Sequence, residues 1–564
     1  MTCAPRHDRT RRSRLSPGAT AACVAACIVA LCALSACGGG GSSSAIAPTP
    51  APAPTPSVSP LQPPAPPAVE PDDARGAMPG LNGVRARISI PAGWDASVCL
   101  NLDVFNRHPS APLQRWEAVV DLGVWTLRST PGARAEGTTG FITVRSDALA
   151  PAVAAGTQTQ AQLCLQPRST WDRTPTLVSV GSDLPAASAD PLEAGLWRLV
   201  SASSRLTASW QASGRFAMRP YSGHPDQQWR LRAQANGSYR FALASRDQCL
   251  GAASPAVPLV ACNAAAPGWT LETLRARSDA APGRFRLHRS DGDSECLRLN
   301  ESEAATLGAC DAQSDLYLEP VGYGERVAPV EFELRGRLLI KPSTDVASPR
   351  MIGRIPADTQ AAVQLAYRDH LPVWFQRATD GRVRWVGDSV IASPMTSAVV
   401  EGGNALPSAA TMPADVAAFL PLGRYDTAAV FYISGVDAAG APVAGGWGWG
   451  PGASAASNGT LWVTVNGGAT PAAAWVSWQN EPIEVFVHEP MHGLDSYFDR
   501  LGVPLPEGYL HGGEQNLYAN NQHGWLPWYR DILLGRVIAA DGSYRGYGPR
   551  AFQLGPPRLR VAAP

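Results

Sequence analysis

Lysine is almost absent from this chain: Lys341 stands alone, and arginine supplies the rest of the 47 basic residues, which 47 acidic residues balance to a formal net charge of zero. No polybasic stretch is left to attract nucleic acid or an anionic membrane surface, so neither is an expected partner. Histidine is scarce as well. There are nine in 564 residues, yet four of the nine fall between positions 488 and 523. Cysteine is thin after the N-terminal segment, which takes Cys3, Cys23, Cys27 and Cys32. Setting Cys37 aside, six remain, an even number suited to an oxidising compartment. What is present in ordinary amount is apolar character: at 45% hydrophobic residues the chain has room for about three or four domains with real cores.

Residues 1–37 read as a targeting segment, with Arg6, Arg9, Arg11, Arg12 and Arg14 ahead of an apolar run from Ala19 to Leu34. That run is too short to span a membrane comfortably. It ends in Leu34, Ser35, Ala36, Cys37, which resembles the lipobox of bacterial lipoproteins. The resemblance implies that Cys37 is the first mature residue and carries a lipid anchor, placing the protein outside the cytoplasm on a bacterial membrane, with the outer membrane or cell surface favoured. Residues 38–72, GGGGSSS followed by Pro/Ala repeats, bury little and are expected to form a partly extended tether.

Residues 73–168 alternate apolar and polar positions in SVCLNLDVF, RWEAVVDL, GFITVRS and TQAQLCLQ, the signature of a β-sandwich. Cys99 and Cys164 lie in two of these strand-like segments and are expected to pair, although spacing alone leaves connectivity open. The order Trp94, VCLNLDVFN, Trp116, Trp125, AAGTQTQAQ resembles the family 2 carbohydrate-binding modules, which bind cellulose and xylan. That resemblance implies that Trp94 and Trp125 stack on sugar rings, with Trp116 assigned to the core and Ala148 at a third position; packing roles for all three Trp are the alternative.

Residues 190–323 contain an internal repeat at about 45-residue steps. LWRLVSAS to DQQWRL, YRFALASRDQCLG to APGWTLE, and RFRLHRSDGDSECLRL to SDLYLEP recur, and Cys249 with Cys262 and Cys296 with Cys310 each close a short loop before Trp269 or Tyr317. Three such units resemble a ricin-type β-trefoil lectin. In that family an acidic residue after the Cys-Leu pair holds sugar hydroxyls; here Gly251 and Arg298 stand there, so a purely architectural trefoil is the alternative reading.

Residues 327–564 change to a mixed pattern. DTQAAVQLAYRDHLPVWFQRA has helical spacing, and EFELRGRLLIKP, GRVRWVGDS, YDTAAVFYIS and TLWVTVNGG are strand-like. Then comes IEVFVHEPMHGLDSYFDRLG, with H-E-x-x-H at His488, Glu489 and His492, a pattern that chance would produce roughly 0.005 times per chain of this composition. Asn480 suits a helix N-cap, and Arg500, Gly502 and Pro504 supply a stop. On a helix the two histidines project from one face one turn apart, where they can grip one zinc ion with Glu489 beside it as the base. Pro490 lies inside the motif, and a kink or a late helix start is expected there.

Strands followed by an H-E-x-x-H helix resemble the zincin metallopeptidases, with TLWVTVNGG expected as the edge strand that pairs with a peptide and GGWGWGPGAS, containing Trp447 and Trp449, as a loop at the cleft mouth. Catalytic zinc usually takes three protein ligands. The metzincin pattern fails, because Phe498 and Asp495 occupy its His and Gly positions. The segment PEGYLHGGEQNLYANNQHGWLPWYRD offers His511, favoured because it follows a turn-rich stretch, and Glu514, which the gluzincin pattern would use; Asp495 is a further ligand or supporting candidate. Tyr509 and Tyr518 are candidate donors to a tetrahedral oxyanion. The sequence therefore reads as a multidomain lipoprotein, β-sandwich, β-trefoil, then α+β zincin-like domain. Its expected activity is zinc-dependent cleavage of protein or glycoprotein near polysaccharide. The rival is a glycan-binding lipoprotein with an inactive zincin-like domain.

Overall fold

The computed structural model describes residues 77–561 apart from intervening stretches, the longest being 90–98, 435–444 and 449–459. The expected signal segment with Cys37, the tether, Trp94, Trp449 and Asn480 lie outside the described residues. From Val69 onward the chain forms one compact unit, rich in β-structure.

Between Met78 and Ser182 eight strands join one hydrogen-bonded network around one apolar core. Cys99–Asn106 runs antiparallel to Gln158–Pro167 with Cys99 opposite Cys164, and a disulfide joins them. The strand Trp116–Ser129 pairs first with Thr139–Ser146 and Thr176–Ser182, then with Gln158–Pro167. A register shift between Asp121 and Thr126 changes which parity faces inward: Trp116, Ala118, Val120 and Leu122 are buried in the first half of the strand, Trp125 and Leu127 in the second. Trp125 is only 1% exposed, so its ring is a core residue and not a sugar-stacking face. Alternation counted onward from Trp116 would have turned it outward; the bulge turns it in.

Twelve strands follow. They are β1 Leu196–Ser201, β2 Thr207–Trp210, β3 Phe216–Arg219, β4 Trp229–Ala233, β5 Tyr239–Leu243, β6 Gln248–Leu250, β7 Leu259–Ala261, β8 Trp269–Arg275, β9 Arg284–Arg289, β10 Glu295–Asn300, β11 Ala304–Ala309 and β12 Leu316–Val321. β1 pairs with β4, β4 with β5, β5 with β8, β8 with β9, β9 with β12, and β12 back with β1, so six strands close a barrel without an edge. The remaining strands form three hairpins, β2–β3, β6–β7 and β10–β11. A four-strand unit used three times in this way is a β-trefoil. Trp229, Trp269 and Tyr317, the aromatic of each unit, are all buried in it. Disulfides Cys249–Cys262 and Cys296–Cys310 staple the second and third hairpins.

The C-terminal part holds β13 Phe332–Ile340, β14 Val383–Ile391, β15 Thr427–Tyr432, β16 Gly445–Gly448 and β17 Leu461–Asn466 in the order β14-β13-β15-β17-β16, parallel except for β16. Every residue of β15 and β17 is buried, as befits parallel strands covered on both faces. TLWVTVNGG is therefore not an edge. β17 pairs on both sides, and the expected loop GGWG is instead the outer strand β16, which correlates with the nearly unbroken apolar run in β17. The helices are α1 Ala357–Leu365 and α2 Leu371–Ala378, joined through one wider helical turn, α3 Pro413–Phe419, α4 Glu481–Arg500 and α5 Leu526–Leu533, followed by the short helices Gly548–Leu554 and Pro557–Val561. α4 packs against β16 and β17, which places the helix that carries H-E-x-x-H beside the outer end of the sheet.

Candidate metal centre

α4 runs through Pro490 as one 20-residue helix, beginning at Glu481, so the expected late start does not occur. The proline costs about 3 kcal/mol in a helix interior. Against it stand Phe486, Val487, Met491, Leu494 and Phe498, each at most 1% exposed, whose burial contributes about 1.5–3 kcal/mol apiece. Tertiary packing wins by several-fold. At its C-terminus Gly502 takes φ +72°, and the amides of Gly502 and Val503 bond the carbonyls of Asp499 and Phe498.

The turn after α4 returns the chain over its face. Gly508 has φ +75°, Tyr509 a left-handed φ of +58°, and a Cβ on Gly512 would lie 1.7 Å from the Glu507 carbonyl oxygen. This tight path brings His511 to the other two histidines. His492 Nε2 is 3.1 Å from His488 Nε2 and 3.2 Å from His511 Nε2. Three imidazole nitrogens at metal–nitrogen distances of 2.0–2.1 Å in a tetrahedral site would be about 3.3 Å apart. One proton can bridge one such pair, whereas a cation serves all three, so the donor set fits zinc. His488 and His492 are partly buried and His511 is exposed, leaving the site open on its side.

His488 is oriented from behind. Tyr529 of α5 gives its hydroxyl proton to Glu484 Oε1 at 2.8 Å, so its oxygen accepts from His488 Nδ1 at 2.9 Å. With the ring proton on Nδ1, Nε2 keeps its lone pair for the shared position. Burial lowers His488 to a pKa of about 3, with neighbouring His492 and His511 adding, and lowers His492 to about 4. Both rings are thus neutral near pH 7, as a metal ligand must be. Burial raises Glu489 to about 8, and a cation held by the neutral histidines would favour its ionised form.

Glu514 and Asp495 do not join the histidines. Glu514 is buried and its Oε1 lies 3.6 Å from Arg205 Nη1. Asp495 accepts from the Tyr547 hydroxyl at 2.9 Å and the Leu510 amide at 3.1 Å, anchoring the residue before His511. Tyr518 is buried with its hydroxyl on Asp531, and Tyr509 directs its hydroxyl to Asp499, so neither stands as an oxyanion donor here. Glu484 and Tyr529 were missed as site residues; 45 positions separate them, and no local motif links them.

Burial, opposed by the Tyr547 and Leu510 hydrogen bonds, raises Asp495 to about 7, well above the unfolded value of about 3.9. The folded state then binds more protons between roughly pH 4 and 7, and this carboxyl lowers stability as pH rises through that window. Asp495→Asn keeps an acceptor but cannot titrate, so urea midpoints of the variant should fall less steeply between pH 4 and 7 than those of the parent. Parallel curves would contradict the assignment.

No family model and no curated protein matches the chain. Among solved structures, the designed three-fold symmetric protein ThreeFoil is 18% identical, with 22% of this chain and 99% of that chain covered at a TM-score of 0.20. SeviL bound to asialo-GM1 saccharide is 14% identical over 22% and 95% at 0.19, and the earthworm R-type lectin C-half in complex with GalNAc is 8% identical over 22% and 99% at 0.17. At such scores these likenesses carry nothing about what this chain does; the trefoil rests on its own strand pairing.

Proposed function

We propose that the protein is a zinc-dependent peptidase acting on protein or glycoprotein, exported and held to a bacterial membrane by lipid on Cys37. The observation that carries this reading is the convergence of the His488, His492 and His511 ring nitrogens at a helix where Glu489, buried, follows His488 in the chain. When bound, zinc supplies Lewis acidity, acidifying water and polarising a carbonyl. The Glu489 carboxylate takes the proton of the attacking water and returns it to the leaving amine. Tyr529 and Glu484 keep the His488 proton on Nδ1 throughout. The outer edge of β16 offers backbone groups to an extended substrate.

The purified full chain should hold one zinc per molecule by elemental analysis and cleave at least one member of a broad protein and glycoprotein panel. Absence of zinc would remove the reading. Anchoring is tested separately: Cys37→Ser should move the protein from the membrane fraction to the soluble exported fraction, because acyl burial holds it there. An unchanged membrane fraction would rule out the lipid anchor.

A second reading makes the chain a glycan-binding lipoprotein whose zincin-like domain does no chemistry. The closed trefoil favours it, since sugar-binding lectins use that fold, although fold alone does not assign function. Stoichiometric zinc without cleavage of any panel member would select it.

A further inference from the structure

The trefoil does not stand apart from the metal centre. Leu196, Tyr221, Ala244 and Val321 of the trefoil region share one apolar core with β13, β15, β17, α4 and α5. Arg198 on β1 is 4% exposed and pairs with Asp531 of α5, which also accepts from Arg530 at 2.8 Å and from the Tyr518 hydroxyl. The Arg198 guanidinium lies 4.4 Å over the Tyr221 ring and 5.7 Å from that of Tyr518. Backbone bonds complete the junction: the Tyr221 amide donates to the Leu517 carbonyl at 2.9 Å, and the Ala519 amide to the Tyr221 carbonyl at 3.2 Å. Arg205 reaches Glu514 at 3.6 Å and donates to the Ile538 carbonyl at 3.1 Å.

These contacts converge on two elements. One is the segment Tyr509–Ala519, where Glu514 follows His511 by three residues and Leu517 and Ala519 are bonded into the trefoil. The other is α5, where Asp531 follows Tyr529, the partner of His488 Nδ1, by two. We infer that the trefoil is an internal clamp on the metal centre, with Arg198 and Arg205 as positioning residues that hold His511 at His488 and His492. The inference rests on the zinc reading above. It assigns the trefoil a role that needs no sugar, and it follows from charge and burial. Removing Arg205 leaves the Glu514 carboxylate buried without its ion pair, and removing Arg198 leaves Asp531 with one arginine instead of two. The first change loosens the segment that presents His511, and the second loosens α5, which orients His488 through Tyr529.

The test uses the full chain with zinc alone as the probe, titrated against a chromophoric chelator. Arg198→Gln and Arg205→Gln should each weaken zinc binding about 10–100-fold, the range expected when a residue supporting a metal ligand is lost. Arg198→Lys should restore part of the loss. In a His511→Ala background Arg205→Gln should cost no further zinc affinity, because the ligand it positions is gone; an additive loss would show general destabilisation and overturn the clamp. Hydrogen exchange in metal-free protein gives an arm independent of zinc. Residues 509–519 should exchange faster in both glutamine variants while strands of the Met78–Ser182 region do not. Should Arg198→Gln fail to fold, the part-exposed Arg205 decides the matter. Unchanged exchange at 509–519 overturns the clamp even if the parent protein binds no zinc, an outcome that by itself removes only the zinc reading.

Discussion

Glu489→Gln should reduce turnover by about 10²–10⁴-fold while leaving the zinc content near one per molecule. The substitution preserves size and helix position, so Phe486, Val487, Met491 and Leu494 keep their burial and the three histidines keep their geometry. What disappears is a group able to accept and return a proton. An amide cannot do so at any accessible pH, whereas the carboxyl that burial raises to about 8 can, once a cation held by the histidines draws it back toward the working range. Turnover on the best substrate of the panel and elemental analysis of the same sample provide the two readouts. Retained turnover would remove Glu489 as the base; loss of zinc together with turnover would show that it serves the metal and not the proton.

The ligand series has the other large effect. If an apparent zinc binding energy of about 10–16 kcal/mol is shared among the ligands, His488→Ala, His492→Ala and His511→Ala should each weaken zinc by 10²–10⁴-fold or more, on the order of a third of that energy. Glu514→Gln should stay within about tenfold of the parent. Its partner Arg205 is partly exposed and can be hydrated when the carboxylate is lost, whereas the reverse change strands a charge in the interior. Competition titrations of the four variants against one chelator would settle the order. Zinc loss on Glu514→Gln with retention on His511→Ala would overturn the three-histidine centre in favour of a glutamate ligand.

Local patterns were legible wherever the relevant interaction is itself local. The 3.6-residue pitch alone places His488 and His492 one turn apart on α4, and the recurring Trp229, Trp269 and Tyr317 units, the last two with cysteine pairs, disclose the trefoil, because each repeat makes the same strands and hairpin. Helix continuity through Pro490 was not legible. It depends on which face of α4 the rest of the domain covers, a sum of burial terms larger than the proline penalty. Trp125 shows the same limit in a strand: its identity suits either a sugar platform or a core, and one register shift between Asp121 and Thr126 decides for the core. The apolar run in TLWVTVNGG says strand, but only the sheet order places it inside β16.

At the site itself the motif determined two imidazoles and a carboxylate, and the tertiary structure decided everything that makes them a centre. His511 arrives through a turn set by Gly508, the left-handed Tyr509 and Gly512, Tyr529 arrives from a separate helix to orient His488, and Arg198 and Arg205 arrive from the trefoil to bear on both segments. None of these approaches leaves a periodic trace in the chain. They join groups far apart in sequence, and their direction is set by backbone dihedrals and buried charge, which no residue-by-residue pattern encodes.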